Sequence, residues 1–127
     1  MRLLLDTHVL IWLLDDGRQA IDARFRQALD EPGAILVASI VSIWEIAIKI
    51  RLGKLTIKTP LAMVPESLRT LGLALLPIDE HHVLAEVVPE PATRDPFDRL
   101  LLAQCQVEGL RLITADRALS DHPFAWR

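Results

Sequence analysis

The stretch AILVASIVSIWEIAIK, residues 34–49, contains the pattern from which the fold class is inferred. Its first five residues are all apolar, as expected of a short strand that is buried on both faces of a sheet. Ser39 then stands in the position of a helix cap, and an apolar helix is predicted from there to about Leu52, with Gly53 just past its end. The stretch therefore predicts a buried strand that leads directly into a buried helix.

Similar strand and helix segments are predicted on both sides of this stretch. Further short apolar strands are predicted at residues 2–5, 73–78 and 110–114, with a candidate edge strand at FAW, residues 124–126. Helices are predicted at residues 7–14, 19–29, 60–71, 79–88 and 96–108. Strands that alternate with helices indicate an α/β fold, with a central parallel sheet of four to five strands flanked by helices on both faces. We expect one domain over residues 1–127, because no repeat, linker or low-complexity segment interrupts the pattern.

Composition narrows the possible classes of protein. The chain has 127 residues, 51% of them hydrophobic and 24% charged, which is typical of a globular domain. Its net charge of -3 excludes a generally basic surface, so a nucleic-acid ligand would need a local basic patch or a protein-bound cation. Cys105 is the only cysteine, so no intrachain disulfide can form. The apolar run at residues 3–14 contains an acid and is too short to span a bilayer, so we expect a soluble cytoplasmic protein with no membrane partner.

Acidic residues occur at the boundaries of the predicted elements. Asp6, Asp79 and Asp116 each lie at or just after the end of a predicted strand, at the rim where parallel sheets bind ligands. Each of them also precedes a helical segment and could simply cap it. In RDPFDRLLLAQC, residues 94–105, Asp95 is a predicted helix cap, and an acid at Asp98 would be favourable near the positive end of the helix.

Glu45 does not fit the capping explanation, because it lies in the middle of an apolar helix. An unpaired buried carboxylate destabilises the fold or loses its charge. Two explanations stay open: an ion pair with Lys49 one turn along the helix, or a bound cation that Glu45 helps to hold. Acids from different elements that met in one pocket would repel each other unless a cation neutralised them, and hard oxygen ligands suit Mg²⁺, with Mn²⁺ as a substitute. One cysteine and four scattered histidines do not suggest zinc.

Four segments, in this order and spacing, resemble the PIN-domain ribonucleases, and more narrowly the VapC-type toxins of bacterial type II toxin–antitoxin systems. They are LLLDTHVLIW (3–12), SIVSIWEIAIK (39–49), RDPFDRLLLAQC (94–105) and LITAD (112–116). The resemblance covers essentially the whole chain and implies a magnesium-dependent endoribonuclease of the PIN fold. It also implies which acids are catalytic: Asp6, Glu45, Asp98 and Asp116. Asp79 has no catalytic counterpart in the family, so we expect it to be only a helix cap.

The resemblance also implies how the site works. We expect Asp6 and Asp98 to hold the principal Mg²⁺, while Glu45 and Asp116 complete the site directly, through water, or by recruiting a second ion with the substrate. The residues expected to orient these carboxylates are Thr7, Thr114 and Asp95. Related sites cut RNA to leave a 5′-phosphate and a 3′-hydroxyl.

Binding surfaces are predicted from charge and hydrophobicity. The segment KIRLGKLTIK, residues 49–58, carries four basic residues and could follow an RNA backbone, although it could also be a solvated helix end. The residues expected to contact RNA or a cognate antitoxin are Lys49, Arg51, Lys54, Lys58, Arg94 and Arg99. The three tryptophans, Trp12, Trp44 and Trp126, are predicted core or interface anchors. Apolar helices would leave large exposed patches in a monomer, so we expect a homodimer.

Two other functions are compatible with the same sequence. A phosphohydrolase with Asp6 as its nucleophile would need a second acid at position 8, which is His8. A catalytically silent PIN-fold module that binds RNA or regulates a partner would gain little from Glu45 in an apolar helix. The sequence does not identify the RNA that is cleaved, the antitoxin, or the number of metal ions.

Overall fold

The computed structural model describes residues 1–127 and contains one sheet of four parallel strands. The strands are β1 (Arg2–Leu5), β2 (Ile35–Ser39), β3 (Ala74–Leu76) and β4 (Arg111–Ile113). Their order across the sheet is β3-β2-β1-β4, so the first strand of the chain pairs with the last. The α/β prediction is confirmed, with four strands. The FAW segment contributes only a single bridge, between Leu112 and Ala125.

Seven α-helices surround the sheet. They are α1 (Thr7–Asp16), α2 (Ala23–Leu29), α3 (Ile40–Arg51), α4 (Val64–Thr70), α5 (Glu80–Leu84), α6 (Pro96–Glu108) and α7 (Arg117–Ser120). Short 3₁₀ turns precede two of them, at Arg18–Ala20 and Leu61–Met63. None of these helices combines the length and the apolar character that crossing a membrane would require.

The core lies on both faces of the sheet because successive side chains of a strand point in opposite directions. Leu3 and Leu5 of β1 belong to a cluster that includes Leu10 of α1 and residues of α2 and α4. Leu4, between them, belongs to a second cluster with Leu102 of α6 and residues of α7. The prediction of helices on both faces is therefore confirmed.

Local capping rules explain where most of the helices begin. Ser39 caps α3 by accepting the Val41 N–H, as predicted, and Asp22 caps α2, which therefore begins at Ala23 rather than at residue 19. The helix predicted from residue 60 opens with a 3₁₀ turn, and α4 starts only at Val64.

The helix predicted at residues 79–88 is wrong in its length, because α5 ends at Leu84. Beyond it, the side chain of Gln106 on α6 binds the backbone in a non-helical conformation. It accepts a hydrogen bond from the Val88 N–H at 3.0 Å and donates one to the Glu86 carbonyl at 3.0 Å. Pro89 also disfavours a helical conformation at the residue before it. A contact between distant parts of the chain therefore overrides the local helical pattern.

Candidate functional site

The carboxyl ends of β1 and β4 meet through one buried side chain, that of Thr114. The Asp6 N–H extends the ladder between the two strands by donating to the Ile113 carbonyl at 3.0 Å. The Thr114 hydroxyl donates to Asp6 Oδ2 and accepts the Asp116 N–H at 3.0 Å. Asp6 is only 3% exposed, and its other oxygen accepts the His8 N–H at 2.7 Å as the cap of α1. Thr114 thus ties together two acids that lie 110 positions apart in the chain.

Glu45 reaches the same region from α3 and is also 3% exposed. The Thr7 hydroxyl donates to Glu45 Oε1 at 2.8 Å and is also hydrogen-bonded to Ser42 at 2.8 Å. The other carboxylate oxygen of Glu45 contacts the ammonium group of Lys49. Because Thr7 directly follows Asp6, this hydrogen bond links α3 to the end of β1. Of the two explanations left open for Glu45, the ion pair with Lys49 is therefore present in the structure.

Asp98 is placed by the capped start of α6. Asp95 accepts the N–H groups of Phe97 and Asp98 at 2.8 and 3.3 Å, and Pro96 occupies the first turn. The Asp98 side chain is half-buried and accepts the Thr93 hydroxyl at 3.2 Å. Asp95 is therefore the helix cap that the sequence predicts, and it directs Asp98 towards Thr93.

Thr93 was missed at the level of sequence, although a signal for it exists. It repeats the arrangement of Thr114: each hydroxyl accepts the N–H of the aspartate two residues later, at 3.1 Å for Thr93, and each also bonds an aspartate carboxylate elsewhere. The two Thr-x-Asp sequences, at 93–95 and 114–116, would have revealed it. Hydroxyl side chains of this kind compete for local backbone groups and favour such turns.

The charges of the acids act on one another. Burial raises the pKa of Asp98 to about 6, with Asp95 adding to the effect and Asp116 and Asp6 contributing less. Burial also raises the pKa of Asp6, against the opposing effect of the Thr114 hydrogen bond, and Asp116 adds a small increase. Glu45, and more weakly Asp95 and Asp98, raise the pKa of Lys49. The predicted catalytic acids therefore share one region at the carboxyl end of the sheet.

The acids are grouped but do not form a closed set of ligands. Only Asp79, His82 and Glu108 bring three potential ligand atoms within 4.8 Å of one another. In that trio, His82 Nε2 lies 2.8 Å from Glu108 Oε2, and His82 Nδ1 accepts the Asp79 N–H at 3.1 Å. Both ring nitrogens thus have protein partners, and the trio fastens α5 to α6. The prediction that Asp79 is a helix cap is confirmed.

The donor set around Asp6 and Asp98 fits a hard divalent cation. No lysine or arginine nitrogen lies within 4.0 Å of the carboxylates of Asp6, Asp98 or Asp116, and only His8 approaches Asp6, at 3.8 Å. The sites offer carboxylate oxygens and no thiolate, the chemistry that Mg²⁺ and Mn²⁺ prefer. Crowded like charges with no positive partner are a reason for a cation to bind.

Half of the basic residues predicted to contact RNA or an antitoxin already have acidic partners. Lys49 pairs with Glu45, Lys58 with Asp16 at 3.0 Å, and Arg99 with Glu90. The other three are Arg51, Lys54 and Arg94, which are exposed and have no carboxylate oxygen within 4.0 Å. Their charges are the ones available to a phosphate backbone.

The tryptophans, predicted to be core or interface anchors, do not all have the same surroundings. Trp12 and Trp126 pack against the core, with Trp126 edge-on to Phe25 at 6.1 Å between ring centroids. Trp44 is 53% exposed and packs edge-on against Phe97 at 5.3 Å, so the core alternative is wrong for it, and the interface alternative stays a prediction. It lies about 100° around α3 from the buried Glu45.

One cavity of the molecule is separate from the acids. It has a volume of about 650 Å³ and lies between α5, the segment after it, and α6. Its lining includes Val87 and Leu100, but none of Asp6, Glu45, Asp98 and Asp116. This cavity therefore does not mark the acidic site.

Comparison with known proteins gives consistent results. The family model for the PIN domain matches residues 3–125. Ribonuclease VapC22 of Mycobacterium tuberculosis (strain ATCC 25618 / H37Rv) is 30% identical over 123 residues, which cover 94% of this chain and 90% of that protein. A crystal structure of VapBC2 from Rickettsia felis, bound to a DNA fragment from its promoter, matches the fold with a TM-score of 0.65 at 12% identity, over 100% of both chains.

Proposed function

Because the chain belongs to the PIN-domain family, we propose that it is a metal-dependent endoribonuclease that acts as the toxin of a toxin–antitoxin pair. The observation that carries this proposal is the grouping of Asp6, Asp98 and Asp116: the charge of Asp116 adds to the rise in the pKa of both Asp6 and Asp98. The resemblance to a protein named Ribonuclease VapC22 over nearly the whole chain supports the choice of RNA as the substrate.

In this proposal Asp6 and Asp98 hold a divalent cation, Mg²⁺ or Mn²⁺, and Glu45 and Asp116 complete the site. A bound divalent ion supplies an activated water and stabilises charge on the leaving oxygen of a phosphodiester. Thr114 fixes Asp6 by its hydrogen bond to Oδ2, and Thr93 does the same for Asp98. These hydroxyls keep the two carboxylates oriented before any ligand arrives.

The alternative of an aspartate-nucleophile phosphohydrolase is disfavoured by the surroundings of Asp6. A nucleophile must reach its substrate, whereas Asp6 is 3% exposed and both of its oxygens accept hydrogen bonds. Position 8, where a second acid would be needed, is an exposed histidine. A buried and hydrogen-bonded carboxylate is better suited to holding a cation than to forming a phosphoenzyme.

Contact with RNA is assigned to the free basic residues near the site. Arg51 and Lys54 lie at the end of α3 and just after it, and Arg94 immediately precedes the cap of α6. Neutralising phosphates with such residues makes binding weaken as salt is raised. We further propose that an antitoxin binds across the same surface, a proposal supported by the fold match to VapBC2.

The decisive experiment is incubation of the purified protein with end-labelled RNAs in Mg²⁺, Mn²⁺ or EDTA. We expect cleavage with either ion, none with EDTA, and none with Asp98→Asn. Asp79→Asn is the matched control, because Asn caps a helix as well as Asp and Asp79 lies outside the acidic group. Cleavage in EDTA, or full activity of Asp98→Asn, would contradict the proposal.

Ion binding without turnover is tested by thermal melting with and without Mg²⁺. A ligand that binds only the folded state must raise the melting temperature. We expect a rise for the wild type and for Asp79→Asn, and none for Asp98→Asn. A protein that melts identically with Mg²⁺, Mn²⁺ and EDTA would instead be the catalytically silent module.

A homodimer is also part of the proposal. Trp44 is the exposed aromatic residue that a second copy would cover, since aromatic side chains are enriched in protein–protein interfaces. Light scattering coupled to size exclusion should give twice the monomer mass of 14.3 kDa for the wild type and the monomer mass for Trp44→Glu. Leu71→Glu, at an exposed apolar residue on α4's end, is the control that should stay dimeric.

A further inference from the structure

Lys49 differs from the other basic residues because its ammonium group contacts Glu45, one of the acids of the proposed site. Nζ contacts one carboxylate oxygen of Glu45, and the side chain is 36% exposed while that of Glu45 is 4% exposed. Asp95 and Asp98 from α6 add weakly to the rise in the pKa of Lys49. The protein therefore carries a positive charge of its own beside one of the residues proposed to complete the cation site.

The surroundings of Glu45 indicate what this charge does. Its Oε1 accepts the Thr7 hydroxyl at 2.8 Å, and its Oε2 has Lys49 as its partner. Without Lys49, one oxygen of a buried carboxylate would lose its only protein contact, which destabilises a fold strongly. The i, i+4 spacing on α3 holds the two side chains on the same face of the helix.

The same charge must also act against a divalent ion. Two cations beside the same carboxylates repel each other, and the repulsion is weakly screened where the site is partly buried. The coupling is reciprocal: whatever the ammonium costs the ion in affinity, the ion costs the ammonium in its interaction with the acids.

We propose that Lys49 is the internal counter-ion of the site: a positioning residue that holds Glu45 in place when no divalent ion is bound, and that weakens the binding of that ion. Only the second part of this inference, the weaker binding of the divalent ion, rests on the proposed function. Lys49 is accordingly assigned to the acids rather than to the RNA backbone.

The experiment compares Lys49→Met, which keeps the apolar stem, with Lys49→Arg, which keeps the charge. Melting temperatures are measured in EDTA, and Mn²⁺ binding is measured by titration calorimetry without RNA. We expect Lys49→Met to melt at a lower temperature in EDTA and yet to bind Mn²⁺ about 5-fold or more tightly than the wild type. Lys49→Arg should stay close to the wild type in both. Lys54→Met, which removes an exposed charge with no acidic partner, should change Mn²⁺ binding less than about 2-fold.

A double variant keeps the test decisive if Lys49→Met is too unstable for calorimetry. Glu45→Gln/Lys49→Met has no buried charge left to neutralise, so it should melt higher in EDTA than Lys49→Met alone. No such recovery would overturn the counter-ion role, and unchanged or weaker Mn²⁺ binding by folded Lys49→Met would overturn the antagonism. If the wild type neither binds Mn²⁺ nor cleaves RNA, the proposed function fails, while the melting comparison still decides the role of Lys49.

Discussion

Thr114→Val tests whether the hydroxyl that joins β1 to β4 stabilises the acidic site. Valine has nearly the same shape as threonine, so the substitution removes the hydroxyl without opening a cavity. The variant loses the hydrogen bond to Asp6 and leaves the Asp116 N–H to be hydrated. Thr114 is 4% exposed, so water cannot readily replace it beside Asp6.

The size of the effect follows from the charge of the acceptor. A hydrogen bond to a charged group contributes about 1.5–3 kcal/mol, so we expect the free energy of unfolding to fall by about 2 kcal/mol near neutral pH. For a domain of this size that corresponds to a drop of about 8 °C in melting temperature. The Thr114 hydrogen bond lowers the pKa of Asp6, so its loss raises that pKa further. The folded variant then holds its proton more tightly than the folded wild type, and its deficit in stability grows as pH rises.

Urea unfolding followed by tryptophan fluorescence measures this deficit. We expect the slope with urea to be unchanged, because the surface exposed on unfolding is the same. Thr114→Ser is the control: it loses a methyl group but keeps the hydroxyl, so its deficit should not vary with pH. The reasoning is refuted if Thr114→Val lies within about 0.5 kcal/mol of the wild type near neutral pH, the range of an ordinary surface change, or if its deficit is independent of pH.

Three further predictions concern Asp98, Asp95 and Cys105. The folded protein binds a proton at Asp98 up to a pH of about 6, whereas an unperturbed carboxyl loses its proton near pH 3.8. As pH rises through this window, the stability of the metal-free protein should therefore fall, and the stabilisation by Mg²⁺ should grow. Melting curves with and without Mg²⁺ over this range check it, and a gain that does not vary with pH would contradict it. Asp95→Asn keeps the helix cap but removes a charge that raises the pKa of Asp98. The same melting curves should therefore show the pH window of Asp98 at lower pH. An unchanged window would argue against the effect of Asp95 on Asp98. Cys105 is 1% exposed with its pKa raised to about 12, so it should react with a thiol reagent only as fast as the protein opens; rapid labelling of the native protein would show that the thiol is accessible.

Much of the fold could be predicted because its signals are local. The strand runs are apolar throughout, and Ser39, Asp79 and Asp95 occupy cap positions that the residues alone define. The end of α5 could not be predicted, because the segment after it is held in a non-helical conformation by hydrogen bonds with Gln106, 18 and 20 positions away along the chain. A window of neighbouring residues does not contain that information.

The functional site could likewise be predicted only in part. Residue type and motif predict four catalytic acids, which stays a prediction, and they include the ion pair of Lys49 with Glu45 among the alternatives. Ser42 has no sequence pattern that points to Thr7, because a small hydroxyl side chain shows its role only once a partner is placed beside it, whereas Thr93 is signalled by the Thr-x-Asp sequence that it shares with Thr114. Trp44 could be predicted only as a core or an interface residue, because composition alone does not tell which face of an apolar helix is buried; in the structure its side chain is 53% exposed.

The pairing of the first strand with the last has a consequence for synthesis of the protein. Asp6 is translated long before the strand beside it and the hydroxyl that orients it, which come from residues 111–114. Until β4 has been made, Asp6 therefore lacks both its neighbouring strand and its hydrogen bond to Thr114. Long-range pairing of this kind also forms slowly. Any activity that depends on Asp6 begins only once β4 has left the ribosome, so an incomplete product is expected to be inert.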